Sequence, residues 1–140
     1  MAHIPDFSRS TTALLALRPI IATADTSEAD TPAGLFLHAT LRPVLKLQND
    51  LLLLLVADFV RDHHIRLAPN ATEQQRQLTE LLARNTKLRY TIVGLVTGQF
   101  TTAEYAFYRP HRAELNRRLL ELAQRRVLDQ TTAVVAADTA

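Results

Sequence analysis

At 140 residues, with 47% hydrophobic and 21% charged side chains, the chain has the length and composition of one globular domain, which excludes a multidomain enzyme within this length and wholesale disorder. Three glycines are too few for the hairpins of a β-sandwich or the turns of a dinucleotide-binding fold, and the absence of cysteine removes disulfides, thiolate catalysis, cysteine-ligated zinc and ordinary iron–sulfur clusters. Sixteen Lys and Arg against fourteen Asp and Glu leave a formal charge of +2, spread along the chain without the block of like charge that marks a nucleic-acid-binding tail.

Residues 1–31 read as an N-terminal segment: a short helix through Ala13, Leu14, Leu17 and Ile21, capped by Ser8 or Ser10 and ended by Pro19, then a small, acidic linker from Thr23 to Pro32. Arg9, the apolar stretch Ala13 to Leu17 and Ala22-Thr23-Ala24 have some features of a secretory leader cleaved within residues 1–24. Arg18-Pro19 interrupts its apolar stretch, so the expected location is cytoplasmic.

Thr31 as N-cap with Pro32 at the first helical position opens a helix running to about Arg66, with Pro43 as a kink or as a fresh start capped by Thr40. Within it, Leu51 to Ala57 is apolar on every side, implying burial from several directions, and is too short to cross a membrane. Thr72 with Gln75 reads as the capping box of a second helix to Gly98, carrying the stripe Leu78, Leu82, Asn85, Leu88, Ile92. Thr101 with Glu104 is another capping box, opening a third helix over residues 102–129 with a kink at Pro110 and outer pairs Glu114/Arg118 and Glu121/Arg125. Residues 32–129 are thus the expected bundle, and the small-residue stretch 130–140 is expected to fray. The predicted fold is all-α: an antiparallel helical bundle of three long helices plus a shorter N-terminal helix, with short polar joints at 67–71 and 98–101.

The chemistry-bearing residues are few. His63 and His64 are adjacent, hence about 100° apart on a helix, and neither has a carboxylate or a second His at metal-ligand spacing, so no metal and no cofactor are expected. Tyr105, Tyr108, Arg109, His111 and Arg112 cluster around the Pro110 kink and are the candidate small-anion site. Asn85 is the candidate register device: an amide in an apolar seam fixes oligomeric state at some cost in stability, so Asn85→Leu is expected to raise the melting temperature. The function expected is that of a non-enzymatic helical bundle acting through protein–protein contact, as a homo-oligomer, without a membrane partner. The alternatives are a small-ligand-binding or small enzyme bundle with its site near the Pro110 kink, and a weak DNA binder using Arg109, Arg112, Arg117, Arg118, Arg125 and Arg126 of the last helix.

Overall fold

The computed structural model describes residues 9–21 and 31–139, and among them every regular element is helical. In chain order these are α1 (Thr11–Ala16), α2 (Pro32–Phe36), a π-helical turn (Leu37–Leu41), α3 (Arg42–Leu47), α4 (Asn49–Asp62), α5 (Ala71–Arg84), α6 (Thr86–Thr97), α7 (Thr102–Tyr108), a 3-10 turn (Arg109–His111), α8 (Arg112–Asp129) and α9 (Thr131–Asp138). Ser8 and the linker residues 22–30 lie outside the described residues.

All-α character follows from the interior stripes. Leu52, Val56 and Val60 on α4, and Leu115, Leu119, Ala123 and Val127 on α8, recur every fourth residue and are all buried. Leu78 and Leu82 of α5, Leu88, Ile92 and Val96 of α6, and Val134 of α9 close the same core. Each fully buried Leu or Val contributes about 1.5–3 kcal/mol relative to exposure. α8 is the central element, packing against α3, α4, α5, α6 and α9, while α4 packs most extensively along α9. The pentaleucine run is nevertheless not buried all round. Leu52 and Leu53 face inward, while Leu51 and Leu54 remain 53% and 50% exposed.

The three long helices expected from periodicity are each divided, for local reasons. Pro43 has no N–H to offer the preceding turn, and the chain answers with the wider turn at Leu37–Leu41 while staying helical into α3. Thr40 does not cap that restart, because its hydroxyl is bonded elsewhere. α4 stops at Asp62, short of Arg66, where His64 takes a positive φ of 53° and turns the chain. α5 is capped by Asn70, whose side chain accepts from the Glu73 N–H at 2.8 Å, so Thr72 lies inside the helix and is not its cap. The expected fraying of the tail is replaced by α9. There Thr131 and Val134 are buried, and the Arg61 guanidinium donates to the last carbonyls, Ala137 O and Asp138 O at 3.2 and 2.8 Å. The small residues of α9 let it lie close along the leucine-rich α4.

Asn85 requires the plainest correction. It is extended (φ −80°, ψ 103°), ends α5 and starts α6, and its side-chain oxygen accepts from the Leu88 N–H at 2.8 Å. The amide is therefore a helix cap. The apolar stripe survives the break because Leu82 and Leu88 are still buried on either side of it. Asn85→Leu removes the cap and is expected to lower stability by about 1 kcal/mol, or about 2–5 °C in melting temperature. Asn85→Asp, which keeps an acceptor, is expected to stay within about 0.5 kcal/mol of the parent. Thermal melts of both variants check this, and a Leu variant that melts higher would restore the seam reading.

Candidate functional site

The Thr101-x-x-Glu104 capping box forms in both directions: Glu104 N donates to Thr101 Oγ1 at 3.2 Å and Thr101 N donates to Glu104 Oε1 at 2.8 Å. The same carboxylate receives a bidentate fork from Arg18, Nη1 to Oε2 at 2.6 Å and Nη2 to Oε1 at 2.7 Å, and the Thr40 hydroxyl at 3.0 Å. Arg18 Nη2 also donates to Gln99 O at 2.9 Å, and Arg9 Nη2 to Gly98 O at 2.5 Å. The side chains of Arg18 and Glu104 are only 7% and 16% exposed. Burial, the largest influence on Glu104, pushes its carboxyl upward. The Arg18 hydrogen bonds, the Thr101 N–H, the Arg18 charge and the Thr40 hydroxyl together outweigh it, so the carboxyl sits below its ordinary range.

This clasp fixes the N-terminal segment against the α6–α7 joint. Three residues beyond Arg18, Ile21 becomes part of the wall of a cavity of about 480 Å³. α3 supplies Arg42, Leu45 and Lys46, and α8 supplies Leu122, Arg125, Arg126 and Asp129, with Gln130 just beyond. Both sets follow the i, i+3, i+4 spacing that places side chains on one helical face. Among the described residues, four cations thus meet one carboxylate. Among the described residues no carboxylate pairs with Arg42, Lys46, Arg125 or Arg126 within 4.0 Å. Arg42 Nε is buried without a partner. Arg126 is held by neutral groups, its Nη1 donating to Asn49 Oδ1 at 3.2 Å, while Gln130 Nε2 donates to that same oxygen at 2.7 Å. Burial first, and the Arg42 charge second, lower the basicity of Arg126. The cavity is therefore a place where positive charge is concentrated and only partly relieved.

A second cavity of about 470 Å³ offers a contrast. It is lined by Ile65, Arg76, Gln77, Glu80, Leu81, Arg84 and Asn85. There Glu80 lies 3.7 Å from both Arg76 and Arg84, so its cations are compensated within the wall.

The residues singled out at the Pro110 kink do come together, though chiefly with one another. Tyr108 is buried and its hydroxyl donates to Asn116 Oδ1 at 2.6 Å. Arg112 Nη2 donates to the Tyr105 hydroxyl at 3.1 Å, and the Arg112 guanidinium lies 5.5 Å from the centroid of the Tyr108 ring. His111 stacks on Phe107 at 4.5 Å with its Nδ1 2.9 Å from Phe107 O, and Arg109 is exposed. These bonds brace the α7–α8 elbow, where Phe36 also stacks on Phe107 at 5.0 Å. On the outer face of α8, Glu114 lies 3.6 Å from Arg118, whereas Glu121 pairs with Arg117 at 3.0 Å and not with Arg125. Arg125 is turned to the cavity instead. The sequence carried one hint of the cavity: Arg42 has no carboxylate three or four residues to either side. Comparison with protein-family models, curated proteins and solved structures gives no match to this chain.

Glu104→Gln leaves Arg18 buried without a counter-charge and is expected to cost about 3 kcal/mol. Because the folded-state pKa of Glu104 is depressed, its stabilising contribution is complete above the ordinary carboxylate range and is lost as pH falls through the folded value. Urea titrations between pH 7 and pH 3 should show a shallower acid loss of stability in Glu104→Gln than in the parent. Parallel pH profiles would show that the clasp carries no such charge dependence.

Proposed function

We propose that this chain is a non-enzymatic helical binding module for a small polyanion, held between α3 and α8. The observation that carries the reading is the convergence of Arg42, Lys46, Arg125 and Arg126 on one cavity whose lining, among the described residues, holds the single carboxylate of Asp129. Like charges gathered without carboxylate partners among the described residues oppose one another, and an anion placed between them relieves that cost. Arginine suits the task, since its planar fork presents paired donors to carboxylate or phosphate oxygens. The small-ligand reading thus moves from the Pro110 elbow, whose polar tips are engaged with each other, to the α3–α8 cavity. A DNA-binding reading has less support, because Arg117 and Arg118 face Glu121 and Glu114.

Inorganic pyrophosphate, titrated at constant ionic strength, is expected to raise the melting temperature, by an amount equivalent to about 2.7 kcal/mol at a hundredfold excess over Kd. Arg42→Ala and Arg126→Ala should each remove most of that shift. An equal shift with sodium chloride at matched ionic strength would reduce the effect to screening and overturn the reading.

A second reading, self-association through protein contact, is favoured by the outer face of α4, where Leu51 and Leu54 lie half exposed three residues apart. Sedimentation velocity is expected to show a multimer that Leu51→Glu with Leu54→Glu converts to monomer; a monomeric parent at about 100 μM excludes it.

A further inference from the structure

The α3–α8 cavity is not lined by charge alone. Ile21, Leu45 and Leu122 share it with the four cations. Its volume of about 480 Å³ is in the range of pockets that enclose small organic molecules, about 300–1,000 Å³, and a bare inorganic anion would leave most of it unfilled. Among the described residues the lining sets four cations against Asp129, an excess that a single carboxylate does not neutralise. A phosphate monoester, dianionic near neutral pH and rich in acceptor oxygens, meets that excess with one compact group.

Ile21 is the unusual member of the lining. It reaches the cavity from the N-terminal segment, outside the α3–α8 pair. Its neighbour Ile20 is 94% exposed, so the chain does not bury apolar residues indiscriminately here. What places Ile21 is the Arg18 fork on Glu104, three residues upstream.

We infer that the ligand is a phosphate monoester with an apolar body, its phosphate among Arg42, Lys46, Arg125 and Arg126 and its body against Ile21, Leu45 and Leu122, and that Ile21 is a specificity-determining residue. This rests on the polyanion-binding reading above. The same chemistry is offered by a free organic phosphate and by the phosphomonoester headgroup of an acidic lipid.

Isothermal titration calorimetry with inorganic phosphate and with phenyl phosphate, on the parent, Ile21→Ala, Leu122→Ala and Arg126→Ala, tests the inference. The parent is expected to bind phenyl phosphate at least about tenfold more tightly than inorganic phosphate, since burying a few carbons is worth about fourfold each. Ile21→Ala should weaken phenyl phosphate about tenfold and leave inorganic phosphate unchanged, whereas Arg126→Ala should weaken both. Leu122→Ala is the second probe of the apolar wall, and an unchanged melting temperature for Ile21→Ala confirms that this variant is folded. Equal affinity for the two probes, or a preference untouched by both apolar variants, overturns the inference while leaving the polyanion reading intact. Absence of binding by both probes overturns the inference, and it overturns the polyanion reading as well only when pyrophosphate also fails to bind. Flotation with phosphatidylcholine vesicles, with and without phosphatidic acid, identifies the source. Binding that needs both phosphatidic acid and Arg126 assigns a lipid headgroup, and binding of phenyl phosphate alone assigns a free ester; each supports the shared chemistry.

Discussion

One carboxylate ties together three segments that are far apart along this chain. Glu104 closes the cap of α7, receives the hydroxyl of Thr40 from the π-helical turn, and takes both arms of the Arg18 guanidinium. A buried ion pair is not stabilising merely because it exists, since desolvation of two charges opposes it. It becomes favourable here because nearly every lone pair of Glu104 is used, by charged and neutral donors alike. The arrangement is also specific. A carboxylate that accepts four hydrogen bonds from three residues restricts the mutual placement of the chain segments that supply them.

The cavity between α3 and α8 follows the opposite electrostatic logic. At the clasp, opposite charges are matched atom by atom; at the cavity, like charges are held in proximity by the packing of the helices that carry them. Leu45, Leu119, Ala123 and Val127 are buried at the core, and their helical phase leaves Arg42, Arg125 and Arg126 on a common edge. The hydrophobic core thus supplies the stabilisation that lets an unfavourable group of charges persist. Departures of this kind from locally favourable choice are where binding sites are expected in a folded chain.

How much of this was legible in the sequence depends on distance along the chain. The cap at Thr31-Pro32, the box at Thr101 and Glu104, the kink at Pro110 and the interior stripes are local patterns, and each formed as its spacing requires. Asn85 misled because two signals coincide there: the apolar stripe continues across it, while the amide itself favours a cap, and the local hydrogen bond to Leu88 N decided the outcome. Arg18 could not be read at all. A single Arg near an apolar stretch is ordinarily a solvated charge, and its partner is 86 positions away. The cavity cations are dispersed in the same way, across α3 and α8, and only tertiary packing brings them together. Glu121 illustrates the limit at short range, since Arg117 and Arg125 are equally spaced partners and the chain uses the one that leaves Arg125 toward the cavity.

The wide turn at Leu37–Leu41 has a consequence for how the molecule tolerates changes in length. A π-helical turn holds one more residue than the α-helical turn it replaces, which makes it equivalent to a built-in insertion. Removing a single residue from this stretch would return the backbone to ordinary helical pitch, with the one carbonyl facing the Pro43 ring left without its intrahelical donor. The shortened turn would sweep nearly the same angle with one residue fewer, so α3 would keep its rotational phase. Val44 and Leu45 would stay in the core and the cationic edge beside α8, whereas the same deletion made within α3 itself would turn every later residue of that helix by about 100° and carry its apolar face out of the core.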